Sequence, residues 1–256
     1  MSWPTGWDVR HVAETGSTNA DLIAAVVAGT AGNRTALVAD HQTAGRGRLD
    51  RRWEAPPGAN LLVSIVVGPV PAIPAEATHR VGLAAVGAVR RFVDAAVAPD
   101  VGLKWPNDVM IGNLKLAGIL AQRVPGRDAV VVGLGLNVGW APEGAAAIDG
   151  YRSGPTATQA SPASLLQALL FELEALPDDT ASRYGDALVT IGQAVRVELP
   201  GDAAALQGRA VDVDATGRLV VVDTAGVRHA LDVGDVVHVR AVSGAVSGAV
   251  SGESQV

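Results

Sequence analysis

Residues 101–124 read Val-Gly-Leu-Lys-Trp-Pro-Asn-Asp-Val-Met-Ile-Gly-Asn-Leu-Lys-Leu-Ala-Gly-Ile-Leu-Ala-Gln-Arg-Val. This stretch alternates short apolar runs with turn residues. Val101–Trp105 reads as a short strand that Pro106 ends. Val109–Ile111 and Leu114–Val124 read as a hairpin around Gly112-Asn113. Gly118, inside an otherwise apolar strand, points to close approach of a ligand or of backbone. The stretch also holds both lysines of the chain, Lys104 and Lys115, against 18 arginines. A chain that uses Arg for generic positive charge and keeps Lys at two places needs a compact ammonium there, unless the two survive by chance. Asn107 and Asp108 stand between them, where a strand end faces a crevice. A plain turn closed by Asx hydrogen bonds is the bland alternative.

Upstream, Gly16-Ser17-Thr18-Asn19-Ala20-Asp21 opens a helix of about ten residues. Thr18 and Asp21 resemble a capping box, and Gly29 is the stop. Thr35–Ala39 is a buried strand. His41–Trp53 carries two glycines and four arginines and reads as a loop. Glycines let backbone N–H groups approach a ligand, and Arg forks suit carboxylate or phosphate. Such a loop could equally be a solvated turn or an RNA-binding arm. Asn60–Val67 is a second buried strand. Glu76–Ala98 reads as one long helix on the stripe Val81, Ala84, Ala85, Ala88, Val89 and Phe92.

Downstream, Ala129–Val138 is a buried strand interrupted by Gly133 and Gly135. The glycines mark either a bulge or a flat group lying on the backbone. Ser161–Leu176 is helical, with Ser161 as N-cap and Pro162 at N1. Asp179–Leu188 is a further helix. After Ile191, five short alternating strands fit a small antiparallel barrel. The expected division is residues 1–190 as the main domain, 191–241 as the small β domain and 242–256 as a disordered Ala/Val/Ser/Gly tail.

Composition sets the outer limits. The chain has 256 residues, 48% of them apolar and 18% charged, with a net charge of −6. A core burying roughly 70–75% of the unfolded surface is within reach. The acidic balance speaks against a nucleic-acid coat or an anionic membrane surface. With no cysteine, disulfides, thiolate zinc sites and Cys nucleophiles are excluded. No run of 18 apolar residues exists, and the first residues lack the basic and apolar regions of a signal peptide. A cytoplasmic location is the expectation. The histidines lack metal-ligand spacing and read as core or surface residues, and no Ser-His-Asp set is apparent. Arginines in a glycine loop, two lysines, an Asn-Asp pair and backbone-exposing glycines suit phosphoryl or nucleotidyl transfer, where catalysis is mostly positioning and charge neutralisation.

At these residues the chain resembles the biotin protein ligases, over roughly residues 12–240. Glu14-Thr15-Gly16-Ser17-Thr18-Asn19 is similar to the first biotin segment of that family. His41–Arg48 with Trp53 is similar to its adenylate loop. Lys104–Asp108, Lys115–Leu120 and Gly133–Asn137 are similar in residues and spacing. The resemblance implies an α+β fold: a class II aminoacyl-tRNA-synthetase-like mixed sheet with flanking helices, plus an SH3-like C-terminal barrel. It implies that biotin and ATP, with Mg²⁺, give biotinyl-5′-AMP, and that a lysine of a biotin carboxyl carrier domain then takes the acyl group. Ser17, Thr18, Asn19, Gln42, Gly45 and Gly118 would serve biotin. Arg46, Gly47 and Arg48 would close over the adenylate, with Trp53, Asn107 and Asn137 on the nucleotide. Lys115 would neutralise the carboxylate and α-phosphate, while Lys104 and Asp108 manage phosphates, Mg²⁺ or the incoming lysine. Asp50 stands where the family loop often has Gly. The dozen residues before the first motif leave no room for an operator-binding winged helix. A lipoate ligase is the nearest alternative enzyme. An RNA-binding module and an inactive scaffold are the alternatives of other classes.

Overall fold

The structure is a computed structural model. It describes residues 2–49, 51–73, 75–153, 160–199, 204–232 and 234–238. Asp50 and the expected 242–256 tail lie outside the described residues.

A seven-stranded mixed sheet forms the body. Its strands are β1 (Asp8–Thr15), β2 (Thr35–Gln42), β3 (Leu61–Val67), β4 (Val101–Lys104), β5 (Asp108–Ile111), β6 (Leu114–Arg123) and β7 (Val130–Leu136). Their order is β1-β2-β3-β7-β6-β5-β4, with β1 and β2 parallel and every other pair antiparallel. The β5–β6 hairpin turns at Gly112, whose φ of +54° is the left-handed backbone that only glycine adopts cheaply.

Strand alternation sorts the two faces. On β7, Val130, Val132, Leu134 and Leu136 join the large core with α2 (Ala75–Arg90) and α3 (Pro162–Ala175). The intervening Val131 packs on the opposite face with Leu22 and Val26 of α1 (Thr18–Val27). Gly133 and Gly135 share that opposite face by the period of two. The sheet's side chains are therefore deleted on one face only, the one α1 covers in part.

Five further strands make the C-terminal sheet: β8 (Ala194–Glu198), β9 (Leu206–Val213), β10 (Leu219–Asp223), β11 (Arg228–Leu231) and β12 (Asp235–His238). Their order is β11-β10-β9-β8-β12, all antiparallel. This sheet meets the body at buried Trp105, whose indole N–H donates to the Gly217 carbonyl at 3.0 Å. Beside it, His79 stacks on Tyr184 of α4 (Ala181–Ala187) with ring centroids 3.6 Å apart. Burial lowers His79 to about 4, so it is a neutral core histidine.

Several local expectations need correction. The N-cap of α1 is Ser17, not Thr18. The Thr18 hydroxyl goes to Gln42, and Asp21 accepts the Thr15 hydroxyl, so neither side chain caps the helix. Helix α2 stops at Arg90 rather than Ala98. The Asp94 N–H turns to the Tyr151 carbonyl and its carboxylate takes the Ser153 N–H and hydroxyl, which pulls the chain off the helix axis. Strand β2 runs on through His41 and Gln42, residues expected in the loop. Residues 10–16 read in the sequence only as a lead-in to the first helix, yet Asp8–Thr15 pairs in parallel with β2. The cap of α3 matches expectation: the Ser161 hydroxyl accepts the Ser164 N–H at 3.1 Å.

Candidate active site

The face left bare by the glycines carries a cavity of about 240 Å³. Ser17, Thr18, Asn19 and Gln42 line one end. Arg46, Gly47, Arg48, Trp53, Asn107, Asp108 and Lys115 line the other, with Gly118 and Asn137 along the wall. Two expected residues stand apart. Lys104 lies opposite Asp108 in the β4–β5 ladder and does not line this cavity. Gly45 is buried beneath the loop, where a β-carbon would collide with the Trp53 carbonyl.

The first end is neutral and closed. The Gln42 side-chain oxygen accepts the Thr18 backbone N–H at 2.8 Å and lies 3.1 Å from its hydroxyl. The Ser64 hydroxyl lies 2.7 Å from the Thr18 hydroxyl and 2.5 Å from Asn19 Oδ1. Asn19 Oδ1 can only accept, so the Ser64 hydroxyl donates to it and can accept from the Thr18 hydroxyl. Asn19 Nδ2 donates to the Leu120 carbonyl at 3.1 Å and to Gln122 Oε1 at 2.7 Å. This net needs Gly133, since a β-carbon there would overlap Asn19 Oδ1. Ser17 differs from its neighbours: it is buried, lines the cavity and caps nothing with its side chain. Among the described residues its hydroxyl has no hydrogen-bond partner.

The second end is charged. Lys115 Nζ lies 2.6 Å from Asp108 Oδ1. Arg48 donates to Asn107 Oδ1 at 3.0 Å and approaches the Gly234 carbonyl at 3.4 Å, and Asn107 Nδ2 donates to the Ile119 carbonyl at 2.7 Å. Burial lowers the pKa of the Arg48 guanidinium, and the Asp235 and Asp108 carboxylates oppose that shift. Arg51 is paired with Asp235. Arg46 is exposed, with no ion-pair partner among the described residues. The loop itself is closed by Gly47 N–H to Arg51 O at 2.7 Å and Trp53 N–H to Gly45 O at 3.0 Å.

The flat group on the glycine strand is the chain's own Trp53. A β-carbon at Gly135 would overlap its indole, and one at Gly118 would lie 3.2 Å from Trp53 Cζ3 and 3.3 Å from Lys115 Nζ. Lys115 Nζ sits 5.9 Å from the indole centroid. Among the described residues the buried indole N–H has no hydrogen-bond partner.

Asn137 lines the cavity, yet its amide is occupied. It accepts from Asn60 Nδ2 at 3.2 Å and donates to the Ala146 carbonyl at 2.9 Å. Sequence reasoning missed Asn60, Ser64, Gln122 and Asp235. Ser64 had one visible signal, as the sole polar residue in the apolar run Leu61–Val67. The others acquire their place only through tertiary pairing.

Comparison with known proteins places these features in context. Residues 17–138 match the Biotin/lipoate A/B protein ligase family, and residues 190–239 match the Biotin protein ligase C terminal domain. A biotin--[acetyl-CoA-carboxylase] ligase of Mycobacterium tuberculosis is 39% identical over 247 residues, covering 92% of this chain and 91% of the relative. The fold is similar to that of the biotin protein ligase from Aquifex aeolicus in complex with biotin and ATP. There the TM-score is 0.70 and the identity 23%, over 91% of this chain and 99% of that one. It is also similar to the Leishmania major biotin protein ligase in complex with biotinyl-5-AMP, with a TM-score of 0.62 and 24% identity, over 88% and 99% of the two chains.

Proposed function

Because the chain belongs to the biotin protein ligase family, we infer that it is an ATP-dependent ligase that activates biotin as biotinyl-5′-AMP and passes the acyl group to a lysine of a carrier domain. The observation that carries this reading is the two-ended cavity, with a neutral hydrogen-bonded pocket at one end and paired cations at the other. Neutral donors and acceptors suit an uncharged heterocycle, and cations suit a carboxylate beside phosphates.

In the first step a biotin carboxylate oxygen bonds to the α-phosphorus of ATP, and the bond to the β-phosphate oxygen breaks, releasing pyrophosphate. Two anions must approach, and Lys115 is assigned to the space between them. Arg46 and Arg48 hold the adenylate, with Gly47 allowing backbone approach and Gly45 anchoring the loop from below. Ser17, Thr18, Asn19 and Gln42 receive the biotin ring end, and Gly118 keeps the wall flat. Trp53 is assigned to the adenine. Asn107 fixes Arg48, and Asn137 braces the nucleotide wall. In the second step the carrier amine, as the free base, attacks the acyl carbon. The carbon–oxygen bond to phosphate breaks and AMP leaves.

Mg²⁺ belongs to the same proposal. Asp108 lines the cavity beside Lys115, and one carboxylate with phosphate oxygens and waters suits that ion. When bound, it neutralises phosphate charge. Lys104 stands off the cavity and is assigned a long-range share of that charge. The acceptor is assigned as the biotin carboxyl carrier domain of a carboxylase, and the site of action as the cytoplasm. Residues 1–190 are assigned to the substrates and 191–241 to the small β domain that supports the loop.

ATP–pyrophosphate exchange with each acid tests the reading. Exchange driven by biotin and not by lipoic acid is expected. Exchange driven by lipoic acid alone would favour the lipoate ligase alternative.

A further inference from the structure

The arginine loop is not held by its own domain alone. Asp235 opens β12, the edge strand paired to β8, where it stands opposite Glu198, and Gly234 immediately precedes it. Gly234 is packed so tightly that a β-carbon would lie 2.5 Å from Val197 Cγ1 and 3.3 Å from the Glu198 carbonyl. Its carbonyl faces the Arg48 guanidinium, and the next residue, Asp235, is paired with Arg51. The two arginines belong to a loop whose Leu49 is 58% exposed at a φ of +55°. The strand end is fixed by a ladder. The loop has its own closing hydrogen bonds and Arg48 meets Asn107 in its own domain, and the contacts to Gly234 and Asp235 add a second anchor from the C-terminal sheet.

We propose that Asp235 is a positioning residue, a latch on the C-terminal sheet that holds Arg51 and so keeps Arg48 closed over the cavity before substrates arrive. The latch rests on the adenylation reading for its consequence, which is retention of the adenylate, but not for its existence. Both partners reach solvent, with side-chain exposures of 62% for Arg51 and 36% for Asp235. Exposed pairs of this kind shift an equilibrium by about two- to fivefold. The latch sets loop occupancy and does not anchor the fold.

The loop reports on itself, because its arginines are trypsin sites. Limited trypsin digestion of the ligand-free full chain at low salt should nick Asp235→Asn between residues 46 and 52 about two- to fivefold faster than wild type. Arg51→Gln, altered on an exposed loop side chain, should do the same at the bonds after Arg46 and Arg48. The ratio to wild type should fall toward one at about 1 M salt, where the screening length is near 3 Å. The charge swap Arg51→Asp with Asp235→Arg should restore slow nicking. Equal nicking of wild type and both single variants at low salt, with unchanged melting temperatures, would overturn the latch. Biotin-dependent ATP–pyrophosphate exchange on the same samples separates the two ideas. Absent exchange in wild type defeats the adenylation reading whatever the nicking shows, and normal exchange with equal nicking defeats the latch alone.

Discussion

The Ser17–Gln42 end of the cavity and its Lys115–Arg48 end are held by opposite kinds of bonding. At the first, Thr18, Asn19 and Ser64 are buried and neutral, and the donors and acceptors of their net meet one another inside the body of the protein. At the second, Arg48 and Arg51 stand on a glycine-rich loop, Lys115 pairs with Asp108 between β6 and β5, and two of the loop's contacts reach across to the C-terminal sheet. The difference follows from desolvation. A neutral amide net stays satisfied without water, so it can be finished before a ligand comes. Charges buried without partners would cost far more, so these stand partly exposed and paired with one another. On the proposed reading, one end serves recognition and the other chemistry.

The sharpest way to break that division is Lys115→Met. One unit charge about 4 Å from the reacting phosphate, at an effective dielectric near 20, contributes on the order of 4 kcal/mol. Biotin-dependent ATP–pyrophosphate exchange should fall by about 10²–10³, while biotin binding measured by calorimetry without ATP changes little. Lys115→Arg should recover only part of the rate, since its planar fork replaces a compact ammonium. A comparable loss of biotin affinity would show that the two ends are not separate. Next is Arg48→Gly, which removes charge-assisted contacts worth about 1.5–3 kcal/mol. Escape of biotinyl-AMP, read as biotin on bystander lysines, should rise roughly ten- to a hundredfold.

Ser64→Ala probes the neutral end. It leaves Asn19 Oδ1 and the Thr18 hydroxyl short of a buried partner, at a cost of about 1–3 kcal/mol in urea unfolding. Exchange at saturating biotin should persist. The smallest and most discriminating pair is Gly133→Ala against Gly135→Ala, two residues apart on one strand. The first displaces Asn19 and should raise KM for biotin about tenfold, and the second displaces Trp53 and should raise KM for ATP about tenfold. If both raise the same constant, the comparison fails.

Much of the body was legible in the sequence. The β5–β6 hairpin, the glycine strand and the Ser161 cap follow from turn chemistry and periodicity over a few residues. β1 was not legible, because as an edge strand it leaves none of Asp8–Thr15 fully buried and shows no clean alternation. The end of α2 depends on Asp94 meeting Tyr151 and Ser153, contacts about sixty residues away that propensity does not see. At the site, the glycines left two readings open, a bulge or a flat group on the strand. Only the structure shows that the occupant is Trp53 and that Gly133 makes room for Asn19. Asp235 lies 184 residues from Arg51 and stands in no motif, so its place beside the loop exists only once the two sheets have met.

The central claim is that this chain joins biotin to a carrier lysine through an adenylate. Its most direct test is the intact mass of a biotin carboxyl carrier domain after incubation with the full chain, ATP, Mg²⁺ and an equal mixture of biotin and lipoic acid. The account predicts one added biotinyl group per carrier, dependent on ATP and abolished when the acceptor lysine is replaced by arginine. A carrier of unchanged mass, or one carrying a lipoyl group instead, would contradict it.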